Sequence, residues 1–123
     1  MPAFLLSLIM PLAFSAELPE NPADSVKKAT SLLIEQELQC ETVTDCVLIP
    51  VGARPCGGID KYLITSKNHT KMEQIKKLSE LSTELEKDYI VENALYGICL
   101  PPTVPMTACM NEKCVEILEK VKK

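Results

Sequence analysis

The chain has 123 residues, a net charge of −4, no tryptophan and six cysteines. That length suits a single domain, and the mild acidity argues against a nucleic-acid partner, which asks for a basic surface. An even set of cysteines with none before Cys40 is the pattern of a small domain stapled by disulfides in an oxidising compartment.

Residues 1–16, MPAFLLSLIMPLAFSA, carry no charge, are apolar from Phe4 to Leu12, and end in the small residues Ala13, Ser15 and Ala16. They read as a signal peptide over 1–15, cleaved after Ser15 or after Ala16. The first site places Ala13 and Ser15 at the two small-residue positions. The apolar run falls short of the ~20 residues that span a bilayer, so no stable membrane span is expected after cleavage. Residues 16–123 are then one exported domain, periplasmic or extracellular. Both phenylalanines leave with the leader, Tyr62, Tyr89 and Tyr96 are the aromatics that stay, and the core must be aliphatic.

Asn21 and Pro22 look like an N-cap and first helical residue, with Asp24 in the favourable first turn. A helix is expected from Pro22 to about Gln39, with Val26, Ala29, Leu32 and Leu33 on its apolar face and Lys27, Lys28, Glu35 and Glu37 largely away from it. It delivers Cys40. Val43 to Ile49 is rich in β-branched residues and reads as a strand ended by Pro50 and Gly52, with Val47 and Ile49 on one face and Cys46 and Leu48 on the other. An irregular loop, Gly52-Ala53-Arg54-Pro55-Cys56-Gly57-Gly58, follows, and Tyr62 to Thr65 adds a short extended segment.

Thr70-Lys71-Met72-Glu73 fits a capping box, so a long second helix is expected from there to about Glu92, its apolar side formed by Met72, Ile75, Leu78, Leu81 and Leu85. Tyr89, Ile90 and Val91 are consecutive apolar positions, so its last turn is either buried on several sides or frayed. Pro101, Pro102 and Pro105 forbid regular helix beyond. Met106 to Met110 and Lys113 to Leu118 read as a hairpin turning through Asn111-Glu112, with Cys109 opposite Cys114.

Six cysteines allow 15 pairings. If the first strand and the final hairpin share one antiparallel sheet, Cys40 and Cys46 bond to Cys109 and Cys114 in some order. Cys56 is then left for Cys99, tying the glycine loop to the segment after the long helix.

Little in the chain points to catalysis or a cofactor. The spacings C-x5-C and C-x4-C lack the C-x2-C knuckle of structural zinc sites, and there is no C-x-x-C for redox chemistry. The lone histidine, His69, precedes the capping Thr70 in a polar turn and reads as solvated. Glu84 and Asp88, one helical turn apart, are explained by a charged outer face. Asn68-His69-Thr70 is an N-glycosylation sequon, usable in a eukaryotic secretory pathway. The place to look for function is the glycine loop, with Gly52, Arg54, Pro55, Gly57 and Gly58 as candidate binding residues. Glycines permit close approach of a partner, a disulfide at Cys56 would hold the loop rigid, and Arg54 offers a multidentate donor.

The run Asp45-Cys46-Val47, Arg54-Pro55-Cys56-Gly57-Gly58, Tyr62-Leu63, a long charged helix, and Ala108-Cys109 with Lys113-Cys114-Val115 resembles small exported cysteine-rich bacterial proteins of unassigned activity. The likeness covers about Cys40 to Val115, and its most specific element is P-C-G-G followed by Y-L. Those relatives often have Y-S where Ile64-Thr65-Ser66 follows here, and glycine where Glu112 stands. The resemblance implies export and a cysteine-stabilised α+β domain, and no substrate.

The expectation is therefore a monomeric α+β domain, two helices packed on a small antiparallel sheet and stabilised by disulfides. It acts as a non-enzymatic binding or envelope-associated protein on an unknown protein or envelope partner, or alternatively as a secreted protease inhibitor using the same loop.

Overall fold

The computed structural model describes residues 20–97 and 100–117. The leader and Cys99 lie outside them. In chain order the elements are α1 (Pro22–Glu35), a 3-10 turn (Val43–Asp45), β1 (Cys46–Val51), β2 (Lys61–Ser66), α2 (Met72–Glu92), β3 (Met106–Met110) and β4 (Lys113–Ile117). This is a disulfide-stabilised α+β fold. The strands, however, make two separate antiparallel pairs, β1 with β2 and β3 with β4, rather than one sheet. The free edge of β4 takes the stretch after α1 instead, with Cys114 N donating to Leu38 O (2.8 Å) and Cys40 N to Glu112 O (3.0 Å).

That detour explains why α1 stops at Glu35, short of Gln39: residues 38–40 are extended against the hairpin, satisfying edge groups that would otherwise be unpaired. At the other end, α1 starts as its sequence implies, with Asn21 accepting from Ala23 N and Pro22 in the first turn.

Pro50 does not end β1 but lies inside it, opposite Tyr62. A proline is tolerated where its missing N–H faces away from the partner strand, and Pro50 O points to α2, where it accepts from the Ser79 hydroxyl. Thr70 does not cap α2 either. Its N–H and hydroxyl both bind the Glu37 carboxylate, and Lys71 is the N-cap, without a side-chain cap bond. At the far end α2 stays helical through Glu92, and Val91 is left 77% exposed.

The core is aliphatic: Ile34, Ile49, Val51 and Ile75, with Leu33, Leu38, Leu63 and Met72 packed against it. The helix faces are turned relative to the apolar stripes read from sequence. α1 buries Ala23, Lys27, Thr30 and Ile34, and α2 buries Ile75, Ser79, Ser82 and Glu86. Ala29 is exposed, while Leu32 and Leu81 are 55% and 45% exposed. Of the buried polar side chains, Ser79 answers a carbonyl of β1, and Ser82 and Glu86 answer backbone N–H groups of the loop beyond it.

The hairpin forms as expected, with Cys109 paired to Cys114 in register. Asn111 and Glu112 both have positive φ, 54° and 62°, the primed turn that suits a two-residue connection. Cys40 bonds Cys109 and Cys46 bonds Cys114. These bridges dock the hairpin onto the start of β1. No helix among the described residues is long and apolar enough to cross a membrane.

Candidate functional site

The glycine loop connects β1 to β2, and its root is held by a buried polar cluster. Gly52 has φ +78°, and a Cβ there would press into the Glu86 carboxylate and lie 2.8 Å from Lys27 Cε and Asp60 Cβ. Only glycine fits. Gly52 N donates to Ser82 Oγ (3.1 Å) and Ala53 N to Glu86 Oε1 (2.7 Å). The same carboxylate accepts from Asn21 Nδ2 (2.9 Å) and from Lys27 Nζ, which lies 2.9 Å from Oε1 and 3.0 Å from Oε2. Lys27 Nζ also reaches Asp60 Oδ2 at 3.0 Å.

A buried ion pair is tolerable only when every oxygen and proton finds a partner. Here Glu86 does, through one ammonium, one amide and one backbone N–H. Burial is the largest single influence on Lys27 and opposes its charge. The hydrogen bonds and charges of Glu86 and Asp60 together outweigh it, so the Lys27 pKa stands above its ordinary 10.5.

Arg54, the charged candidate in the loop, is turned inward. Its Nε and Nη2 donate to Asp60 O (3.3 and 3.0 Å) and its Nη1 to Leu100 O (2.8 Å). The backbone closes a turn over Arg54–Gly57, with Gly57 N donating to Arg54 O (2.9 Å) and Arg54 N to Gly58 O (3.1 Å). Pro55 and Gly57 occupy the second and fourth places of that turn, where each is favoured. Gly97 packs on Pro55, a Cβ on it falling 3.2 Å from Pro55 Cγ. Together with the Arg54 bond to Leu100, this sets the loop against the segment that follows α2. Cys56 is disulfide-bonded, and its expected partner Cys99 lies outside the described residues.

Above this root the tip is open. Pro55, Cys56, Gly57 and Gly58 are exposed, and nothing lies within 4 Å of a Cβ placed on either Gly57 (φ +105°) or Gly58 (φ +87°). The site therefore divides into Gly52 and Arg54, which build the loop, and Pro55, Gly57 and Gly58, which it displays. Sequence reading missed Lys27, Asp60, Ser82 and Glu86. The available signal was Lys27 and Glu86 lying on the polar sides of two otherwise good helices, and that pattern usually means solvent.

At the opposite end an open polar groove of about 620 Å3 runs past Gln39, Glu41, Asp45, Ser66, Asn68 and Glu112. Asp45 is occupied in holding the chain. Its Oδ2 accepts from Glu41 N (2.8 Å) and Thr42 N (3.2 Å), and Lys67 lies 3.5 Å from Oδ1, so its carboxyl is held below the usual range. Among the described residues, the sulfurs of Cys40, Cys46 and Cys114 lie within 4.8 Å of one another, but all three are already in disulfides. Asn68 of the sequon is exposed.

His69 is not solvated but 4% exposed. Its Nδ1 accepts from Lys71 N (3.0 Å) and its Nε2 faces Leu33 O at 2.9 Å. With Nδ1 accepting, the ring hydrogen sits on Nε2, and the neutral ring joins the end of α1 to the start of α2.

Comparison with family models, characterised proteins and solved structures returned no match for this chain.

Proposed function

We propose that the chain is an exported, non-enzymatic binding protein of the periplasm or extracellular space, which presents the tip of the 52–58 loop as a rigid recognition element to a protein or envelope partner. The observation that carries this reading is the contrast within the loop, whose root is clamped by Ser82, Glu86, Asp60 and Leu100 while Pro55, Gly57 and Gly58 stay open. A loop already ordered loses little entropy on binding, and glycines leave backbone donors and acceptors within a partner's reach. Disulfides and the apolar leader together support export. The buried titratable groups Lys27, Glu86 and His69 serve the fold, which supports binding over chemistry.

A protease-inhibitor reading of this loop would need Arg54 to enter an enzyme's specificity pocket. Its inward hydrogen bonds favour the binding reading.

The test is a photo-crosslinking residue placed at Pro55 in the native host, with Lys76 on the exposed side of α2 as control. A discrete adduct from position 55 and none from 76 is expected. Equal labelling at both positions, or none at 55, would overturn the loop assignment, and a protease inactivated as the adduct would transfer it to inhibition. A mature N-terminus at Ala16 or Glu17 in the exported fraction is the matching test of export, and retained leader would defeat it.

A further inference from the structure

The two bridges that fasten the hairpin lie against each other. The sulfurs of Cys40, Cys46 and Cys114 are within 4.8 Å of one another, although Cys40 belongs to one bridge and Cys46 and Cys114 to the other. Each bridge also has one sheltered and one reachable end. Cys40 and Cys114 are 5% and 3% exposed, while Cys109 and Cys46 are half-buried. An incoming thiolate attacks the sulfur it can reach and expels the other. The sulfur expelled is then the sheltered one, Cys40 or Cys114, and it already lies beside the second bridge.

We infer that these bridges form a thiol-triggered switch, in which Cys40–Cys109 and Cys46–Cys114 exchange for Cys40–Cys46 and Cys109–Cys114 and so release the β3–β4 hairpin. The geometry of both new bridges is in place. Cys109 and Cys114 stand opposite each other in the hairpin. Because Cys114 N donates away from β3, to Leu38 O, theirs is a non-hydrogen-bonded pair. Cα atoms in such a pair are about 4.5 Å apart, inside the roughly 4.4–6.8 Å that a disulfide spans. Cys40 and Cys46 flank the turn in which Asp45 Oδ2 accepts from Glu41 N and Thr42 N, and their sulfurs are two of the three grouped within 4.8 Å.

The exchange consumes no electrons. A small thiolate attacking Cys109 Sγ forms a mixed disulfide there and expels the Cys40 thiolate. Cys40 attacks Cys46 Sγ, which forms Cys40–Cys46 and expels Cys114. Cys114 then attacks Cys109 Sγ, closing Cys109–Cys114 and expelling the small thiolate unchanged. Entry at Cys46 runs through the same two internal attacks in the opposite order and ends in the same bridges. The native bridges join residues 69 and 68 apart in the chain, whereas the new ones join near neighbours. Loop closure favours the local pairs and the docked hairpin favours the native ones, so the balance follows docking. In the exchanged form the hairpin is tied only to itself.

The experiment treats the mature chain with reduced glutathione in the absence of denaturant, blocks free thiols by alkylation and maps the cystine peptides. Peptides joining Cys40 to Cys46 and Cys109 to Cys114 are expected together and in equal amounts, with helical circular dichroism retained and amide exchange in β3 and β4 about tenfold faster or more. Two variants locate the same attacks without added thiol. Native pairing leaves Cys40 free in Cys109→Ser and Cys114 free in Cys46→Ser. Exchange moves the free thiol to Cys114 in the first and to Cys40 in the second, where alkylation of the unreduced protein should find it. Labels that stay on Cys40 and Cys114 respectively, or a wild-type chain that keeps only native bridges or opens to free thiols, would overturn the proposal. So would bridges joining Cys56 to any of the four, which would mark general scrambling.

Discussion

Apart from the disulfide at Cys56 in the loop itself, the two ends of this molecule are held by opposite means. At the loop end a lysine, two carboxylates, an asparagine and a serine are gathered under a glycine that admits no side chain. At the hairpin end Cys40–Cys109 and Cys46–Cys114 fasten a two-stranded ribbon whose Met106, Met110 and Ile117 remain exposed. A hairpin with so little buried apolar surface has marginal stability by itself, so covalent bonds take the place of a core. The loop root has the helices behind it and can be held by polar contacts, at the cost of needing every one of them.

The comparison breaks most sharply on the covalent side. Replacing Cys46 and Cys114 together by alanine leaves Cys40–Cys109 closed, so the bridge removed closes only about 11 further residues, and the chain-entropy relation puts the loss at about 3 kcal/mol, read from urea unfolding. A loss under about 1 kcal/mol would mean that Cys40–Cys109 and packing suffice to hold the hairpin without the second bridge. In this variant, where the disulfide at Cys56 is untouched, the loop end should be the better protected in hydrogen exchange.

On the polar side, Lys27→Met leaves Glu86 buried without its counter-charge and should cost about 3 kcal/mol. Lys27→Met with Glu86→Gln keeps an acceptor for Ala53 N and should recover most of it. A double variant as unstable as the single would show that the cluster contributes through packing.

A smaller effect tests the hairpin turn. Glu112→Gly removes a side chain from φ +62° and should stabilise by about 1 kcal/mol, visible as a higher urea midpoint. No gain would mean the primed turn is not strained.

The two ends also differ in pH response. Lys27 has a raised pKa, so its contribution is complete below 10.5 and is lost as pH rises through the higher folded value. Asp45 and Glu37 are lowered by hydrogen bonds from the Glu41 and Thr42 backbone and from Thr70. What they contribute is present above their ordinary values of 3.8 and 4.5 and is lost as pH falls through the depressed ones. Melting temperature against pH should therefore lose its alkaline decline in Lys27→Met and part of its acid decline in Asp45→Asn. An unchanged alkaline limb in Lys27→Met would remove the cluster from the pH response.

Local patterns were legible where local forces decide. The start of α1 at Asn21-Pro22, the span of α2, the hairpin register that sets Cys109 opposite Cys114, and the bonding of Cys40 and Cys46 to the hairpin cysteines could all be read from residue types and spacing. Other features were misread. Apolar periodicity predicted that Leu32 and Leu81 face inward and Lys27 outward, yet the packed helices bury Lys27, Ser82 and Glu86. Pro50 read as a strand end, and His69 as a solvated turn residue.

Composition and spacing by themselves determined that this is a small aliphatic α+β domain dependent on disulfides, because those properties follow from short-range preferences and a count of what can be buried. Which helix stripe faces the sheet, and which polar groups are drawn inside with it, only the tertiary structure decided. The reason is that the backbone N–H groups of Gly52 and Ala53 and the carbonyls of Leu33 and Pro50 must each find a partner, and a partner 29 to 36 residues away in the chain leaves no trace in local pattern.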